Sequence, residues 1–158
     1  MQEKQTIKYG EFADIDRLPA EGRLLSIDPG TKRIGLAITD KNRIVCRPLQ
    51  IIERTSWKKL LSTIQAILQE FDAKGLVIGL PLESDGSESD MSPMARDMAQ
   101  KFAKSLNIPI FLQDERVSSY EARARLWSAN GAPKDLSGTV DSEAAVIILS
   151  DFVDRTSK

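Results

Sequence analysis

Apolar residues in this chain come in short blocks cut by polar turns, and the spacing inside each block names its element. Residues 24–27 form an apolar run that ends on Asp28, Pro29-Gly30 turns the chain, and a second apolar run covers 34–38. With a third run, these predict strands at about 23–28, 33–40 and 43–53, joined by tight turns, the second of them Asp40-Lys41-Asn42. Pro48 inside the third run marks an edge strand or a bulge. The period then changes. Trp57, Leu60, Leu61, Ile64, Ile67, Leu68 and Phe71 recur at spacings of three and four behind a capping Ser56, which predicts a helix. Gly75 precedes a continuous apolar strand at 76–80, as expected for a parallel strand buried on both faces. After a polar loop at 81–91, Ser92-Pro93 opens a second helix, closed by Asn107 and Pro109. A fifth strand at 108–112 leads into Gln113-Asp114-Glu115-Arg116, and Ser118-x-x-Glu121 boxes the start of a third helix to about Asn130-Gly131. A loop at 131–139 precedes a last helix from about 140 to 154.

The order βββαβαβαα describes an α/β protein. Three strands joined by tight turns are antiparallel, and two more reached through right-handed helical crossovers lie parallel to the first. The expectation is a five-stranded mixed sheet with helices on both faces. Residues 1–22 are polar and aperiodic and read as a partly disordered extension, with one domain over 23–158.

Composition narrows the chemistry. The chain has 158 residues, 28% of them charged, yet no histidine and one cysteine. Histidine-dependent nucleophilic catalysis and His-ligated zinc or iron are therefore excluded, and Cys46, in an apolar run, reads as a small core residue. No stretch approaches the roughly 20 apolar residues of a membrane span, and the first residues do not read as a signal peptide, so the expectation is a cytoplasmic protein. A net charge of −1 gives no global attraction to nucleic acid, so such a contact must be a local patch.

Three acidic positions stand where a carboxylate needs a reason. Asp28 ends the first strand, Asp114-Glu115 ends the fifth, and Asp141 begins the last helix. Sites in open α/β sheets form beyond the carboxyl ends of parallel strands, so the first two share a rim. Asp141 lies on the helical face of Ala144, Ala145, Ile148 and Phe152, which must pack on the sheet. Taken alone, Asp141 reads as a helix cap; beside the other two it reads as a third ligand. Strand alternation points Asp114 and Glu115 to opposite faces and leaves open which one serves the site. Carboxylates converging without histidine or cysteine suit Mg²⁺ or Mn²⁺, and two such ions can serve phosphodiester hydrolysis. Lys32, Arg33 and Arg116 lie beside the acids and are candidate phosphate contacts, or simply solvated charges.

The motifs SIDPGTKRIGLAITD, RPLQII, VIGLPLESDG, QDERVSSYEARARL and VDSEAAVIIL resemble, in order, those of the YqgF/RuvX family, over about 24–154. The resemblance implies a ribonuclease H-like fold and a Holliday junction resolvase-like nuclease that processes the 5′ end of pre-16S ribosomal RNA in the cytoplasm, with branched DNA as an alternative substrate. It implies acidic site residues at Asp28, Asp114-Glu115 and Asp141. Glu83, Ser119 and the segment Ser137-Gly138-Thr139 depart from the family pattern, the last by lacking basic residues. The expected partner is structured RNA or branched DNA, and the expected state a monomer or homodimer. Two rivals stand beside this. Asp28-Pro29-Gly30-Thr31 also fits the phosphate turn of actin-like and sugar-kinase ATPases, and a non-catalytic RNA-binding assembly or transcription factor fits the net charge.

Overall fold

The computed structural model describes residues 15–30, 32–115 and 136–157, with side chains in the last segment described from 143 onward. Strands β1 (Leu24–Pro29), β2 (Arg33–Thr39), β3 (Cys46–Pro48), β4 (Ile52–Glu53), β5 (Gly75–Leu80) and β6 (Ile110–Asp114) make one sheet in the order β3-β2-β1-β5-β6, with β4 also on β2. β1 pairs antiparallel with β2 and parallel with β5, and β5 pairs parallel with β6. This is the mixed sheet anticipated from the pattern.

The expected third strand, 43–53, is shorter and broken. The Asp40 carboxylate accepts hydrogen bonds from the backbone amides of Asn42, Ile44 and Val45, at 3.1, 2.8 and 2.7 Å, and Arg43 takes a left-handed conformation. That turn claims 43–45, so the strand starts at Cys46. Ala37 then pairs with Pro48 but Ile34 pairs with Ile52, so 49–51 on the outer strand oppose Gly35 and Leu36. One extra residue on the outer strand is a β-bulge, and Pro48 sits on an edge strand beside it.

Helix α1 (Trp57–Phe71) starts where Ser56 accepts the Lys59 amide at 3.2 Å and ends on a left-handed Asp72. Helix α2 (Ser92–Ser105) carries Pro at its first turn. Helix α3 (Leu136–Thr156) begins about one turn earlier than its hydrophobic pattern indicates. Gly138 reads as a loop residue, but a helix carries an internal glycine at a cost of only about 1 kcal/mol. The expected helix at 118–131 lies outside the described residues.

Alternation along the strands builds two cores. Leu25, Ile27, Leu36, Ile78 and Leu112 face α1 and α2, together with Leu60, Ile64, Ala99 and Phe102. Leu24, Ala37, Val77 and Phe111 face α3, against Ala145, Ile148, Leu149 and Phe152. Ala145 is completely buried, and its carbonyl accepts a hydrogen bond from the buried Ser26 hydroxyl at 2.8 Å. Small residues on both sides of this contact bring α3 close to β1, and the buried hydroxyl is satisfied by the helix backbone. Cys46 is half-buried at the margin of this second core, hydrogen-bonded to Ser150, with its thiol pKa pushed up by burial.

Candidate active site

The site lies where β1 and β6 end, on the α3 side of the sheet. Leu24 and Ser26 face α3, so Asp28, two residues on, emerges on that side. Its cross-strand partner on β2 is Gly35, which has no side chain to crowd the carboxylate. On β6, Phe111 and Glu115 share the α3 side, whereas Leu112 and Asp114 turn toward α2. The two-residue period thus separates the neighbouring acids, and Glu115 is the one that meets Asp28. The Glu115 amide still donates to the Leu80 carbonyl at 3.1 Å, so the backbone is held to β5 as the side chain turns inward.

Glu115 rests over Gly79. A Cβ at residue 79 would stand 3.0 Å from the Glu115 carboxyl carbon and 2.5 Å from the Ile148 δ-methyl. Glycine here lets β5, the carboxyl and α3 meet. Glu115 and Asp28 are hydrogen-bonded to each other. Burial, then the charge of Asp28 and the hydrogen bond to it, with a smaller contribution from Asp114, hold the Glu115 pKa well above the usual carboxyl range.

Behind the acids, the backbone is clamped at Gly30 and Lys32. The Arg54 guanidinium donates from Nη1 to the Gly30 carbonyl at 2.9 Å, and the Arg54 amide donates to the Lys32 carbonyl at 2.8 Å. A Cβ on Gly30 would collide with the Arg33 carbonyl oxygen, so only glycine closes this turn. Arg54 was not singled out by sequence reasoning; a basic residue beyond a short strand carries no signal until the turn it clamps is known.

Of the other predicted site residues, Lys32 and Arg33 are exposed on the turn beside Asp28. Asp114 is half-exposed on the α2 side. Asp141 belongs to α3, but its side chain is outside the described residues, as is Arg116. Among the described residues no three His, Cys, Asp or Glu side chains come together as a metal-ligand group, so the described centre is a carboxyl pair. Of the loop acids, Glu88 is ion-paired with Arg96 and Asp85 accepts from Ser87. Among the described residues no helix is long and apolar enough to cross a membrane.

A mixed sheet of this order, covered by helices, is the ribonuclease H-like fold. The model of the RuvX family, described as Holliday junction resolvase, matches residues 22–155. The chain belongs to the RuvX family, and it is a hydrolase of the nuclease class, acting on phosphodiester bonds. A protein of Anaeromyxobacter sp. (strain Fw109-5), named "Putative pre-16S rRNA nuclease", is 39% identical over 132 residues, covering 84% of this chain and 96% of the relative. One of the same name from Klebsiella pneumoniae subsp. pneumoniae is 35% identical over 135 residues, covering 85% and 98%. RuvC of T. thermophilus in complex with a Holliday junction substrate has a similar fold, with TM-score 0.52 at 14% identity over 86% of this chain and 96% of RuvC. The fowlpox virus resolvase in complex with Holliday junction DNA gives TM-score 0.53 at 12% identity, over 86% and 99%.

Proposed function

We infer that this protein is a divalent-cation-dependent endonuclease and that its substrate is the 5′ region of pre-16S ribosomal RNA. The name shared by relatives at 35–39% identity supports the substrate. The observation that carries the chemistry is the Asp28–Glu115 carboxyl pair on the rim of the sheet. Both donors are carboxylates and the chain has no histidine, a set that suits Mg²⁺ or Mn²⁺. Asp28 and Glu115 would hold the cation, with Asp141 as a third carboxylate brought in by α3. When bound, the cation neutralises phosphate charge and polarises the phosphorus–oxygen bonds under attack.

The remaining work falls to the chain itself. Glu115 gives up its proton to become a ligand, so cation binding competes with protonation and strengthens as pH rises. Gly35 and Gly79 keep side chains away from the two acids. Arg54 fixes the turn that carries Lys32 and Arg33, which would hold phosphates flanking the scissile bond. Asp114, facing α2, is left outside the ligand set.

The test incubates purified protein with a 16S precursor bearing its 5′ leader, and with a four-way DNA junction, each with Mg²⁺, Mn²⁺ or EDTA. Cation-dependent cleavage of the RNA, lost in Asp28→Asn, Glu115→Gln and Asp141→Asn, is expected. Cleavage of the junction alone would move the assignment to DNA resolution, as the family's description suggests. RNA binding without any cleavage would make the protein an assembly factor.

A further inference from the structure

A second feature adjoins the acids on the other face of the sheet. The first turn of α1 and the second and third turns of α2 enclose a cleft of about 190 Å³, lined by Arg54, Thr55, Ser56, Trp57, Asp97 and Lys101, among others. Its connection to the site is direct, because the Arg54 guanidinium that lines it is the group bonded to the Gly30 carbonyl, two residues after Asp28. Arg54 also donates from Nη1 to the Met94 sulfur, and its Nε and Nη2 have no partner among the described residues. The Lys101 ammonium stands 5.5 Å from the centre of the Trp57 ring, which itself packs edge-on against Phe102 at 4.7 Å. Its ion pair with Asp97, at 3.4 Å, is exposed and therefore weak. No acidic residue lies in the first turn of α1, where Lys58 and Lys59 add to the positive end of the helix.

We propose that this cleft is a subsite for the substrate strand, in which Arg54 and Lys101 take backbone phosphates beyond those held at the acids. The proposal rests on the nuclease assignment for its substrate class. A strand lying over Asp28 crosses the Lys32–Arg33 turn and reaches Arg54 on the far side. The guanidinium offers its unpartnered edge to phosphate oxygens, and the ammonium, held over an aromatic ring, offers a point charge. Asp97 is the opposing charge, so its removal should act in the opposite direction to removal of Lys101, and the salt slope separates a direct phosphate contact from a change in net charge.

The test measures binding rather than cleavage. Fluorescence anisotropy of labelled single-stranded RNA, and of DNA of the same sequence, is followed in EDTA with Asp28→Asn as the parent. Adding Lys101→Gln is expected to weaken binding about 1.5- to fivefold at low salt, the scale of one exposed ion pair. It should also flatten the plot of log affinity against log salt by about 0.7, one phosphate contact on a single strand. Adding Asp97→Asn is expected to tighten binding. Unchanged affinity in both variants, both moving in one direction, or no binding of either strand by the parent overturns the subsite. Binding that follows this pattern in a protein that cleaves nothing keeps the subsite and ends the nuclease assignment.

Discussion

At the scale of single residues, the unusual group is Glu115, a half-buried acid that the fold sets against another acid. Glu115 binds its proton more tightly in the folded chain than in the unfolded one. Its contribution to stability is therefore present in acid and is lost as pH rises from the ordinary carboxyl range through the raised folded value. The isosteric, neutral Glu115→Gln removes that loss. Without divalent cations, Glu115→Gln should melt above the wild type at neutral pH, with the gap closing toward pH 4; an equal gap at both pH values would place the carboxyl in water. Gly79 makes a companion prediction. Gly79→Ala puts a methyl against the Glu115 carboxyl and Ile148, so cleavage should fall at least about tenfold, as misplacing a reacting group does, while the sheet survives. Full activity in a folded Gly79→Ala protein would show that Glu115 need not lie where it is.

At the scale of elements, α3 decides whether the site exists, because it packs across β1 and β2 and closes the side of the sheet where the acids emerge. Its approach depends on Ala144 and Ala145, both fully buried, and on the Ser26 hydroxyl bonded to the Ala145 carbonyl. Ala145→Leu should cost about 1–3 kcal/mol by overpacking. At about 2–4 °C per kcal/mol for a chain of this size, a thermal melt resolves it. It should also weaken cation binding, since the proposed third ligand, Asp141, belongs to α3; unchanged cation affinity would separate the helix from the site. The outer strand shows how one polar residue edits an element. The apolar run from 44 onward looks like strand, yet Asp40 captures the amides a ladder would use, and strand pairing waits until Cys46. Pro48 then marks the place where the register slips by one residue.

At the scale of the whole molecule, two cores on opposite faces of one sheet make a rigid platform, with acids on the α3 side and the Arg54 cleft on the α1–α2 side of the same rim. If the acids hold a cation, binding and folding are linked. Mg²⁺ or Mn²⁺ at 100 times its dissociation constant should add about 2.7 kcal/mol to wild-type stability, read as a rise in melting temperature. The same titration should leave Asp28→Asn flat, and an equal rise in both proteins would place the cation elsewhere.

Hydrophobic periodicity in the sequence determined most of the architecture. The spacing of Leu60, Ile64, Ile67 and Leu68 specified α1, the continuous run at 76–80 specified a doubly buried strand, and short turns against helical crossovers specified which strands run antiparallel. These signals are local, because burial acts on every residue of an element at once. The sequence also brought Asp28 and the Asp114-Glu115 pair to strand ends, but it left those two neighbours equivalent. Only the tertiary structure separated them, since the choice depends on which face of β6 meets α3, and that is settled by Phe111 packing on Phe152, 41 residues further along the chain. Arg54, Gly79 and the cleft beside Lys101 were likewise decided by tertiary contact. Each gains its meaning from a partner distant in sequence, and local pattern carries no record of such partners.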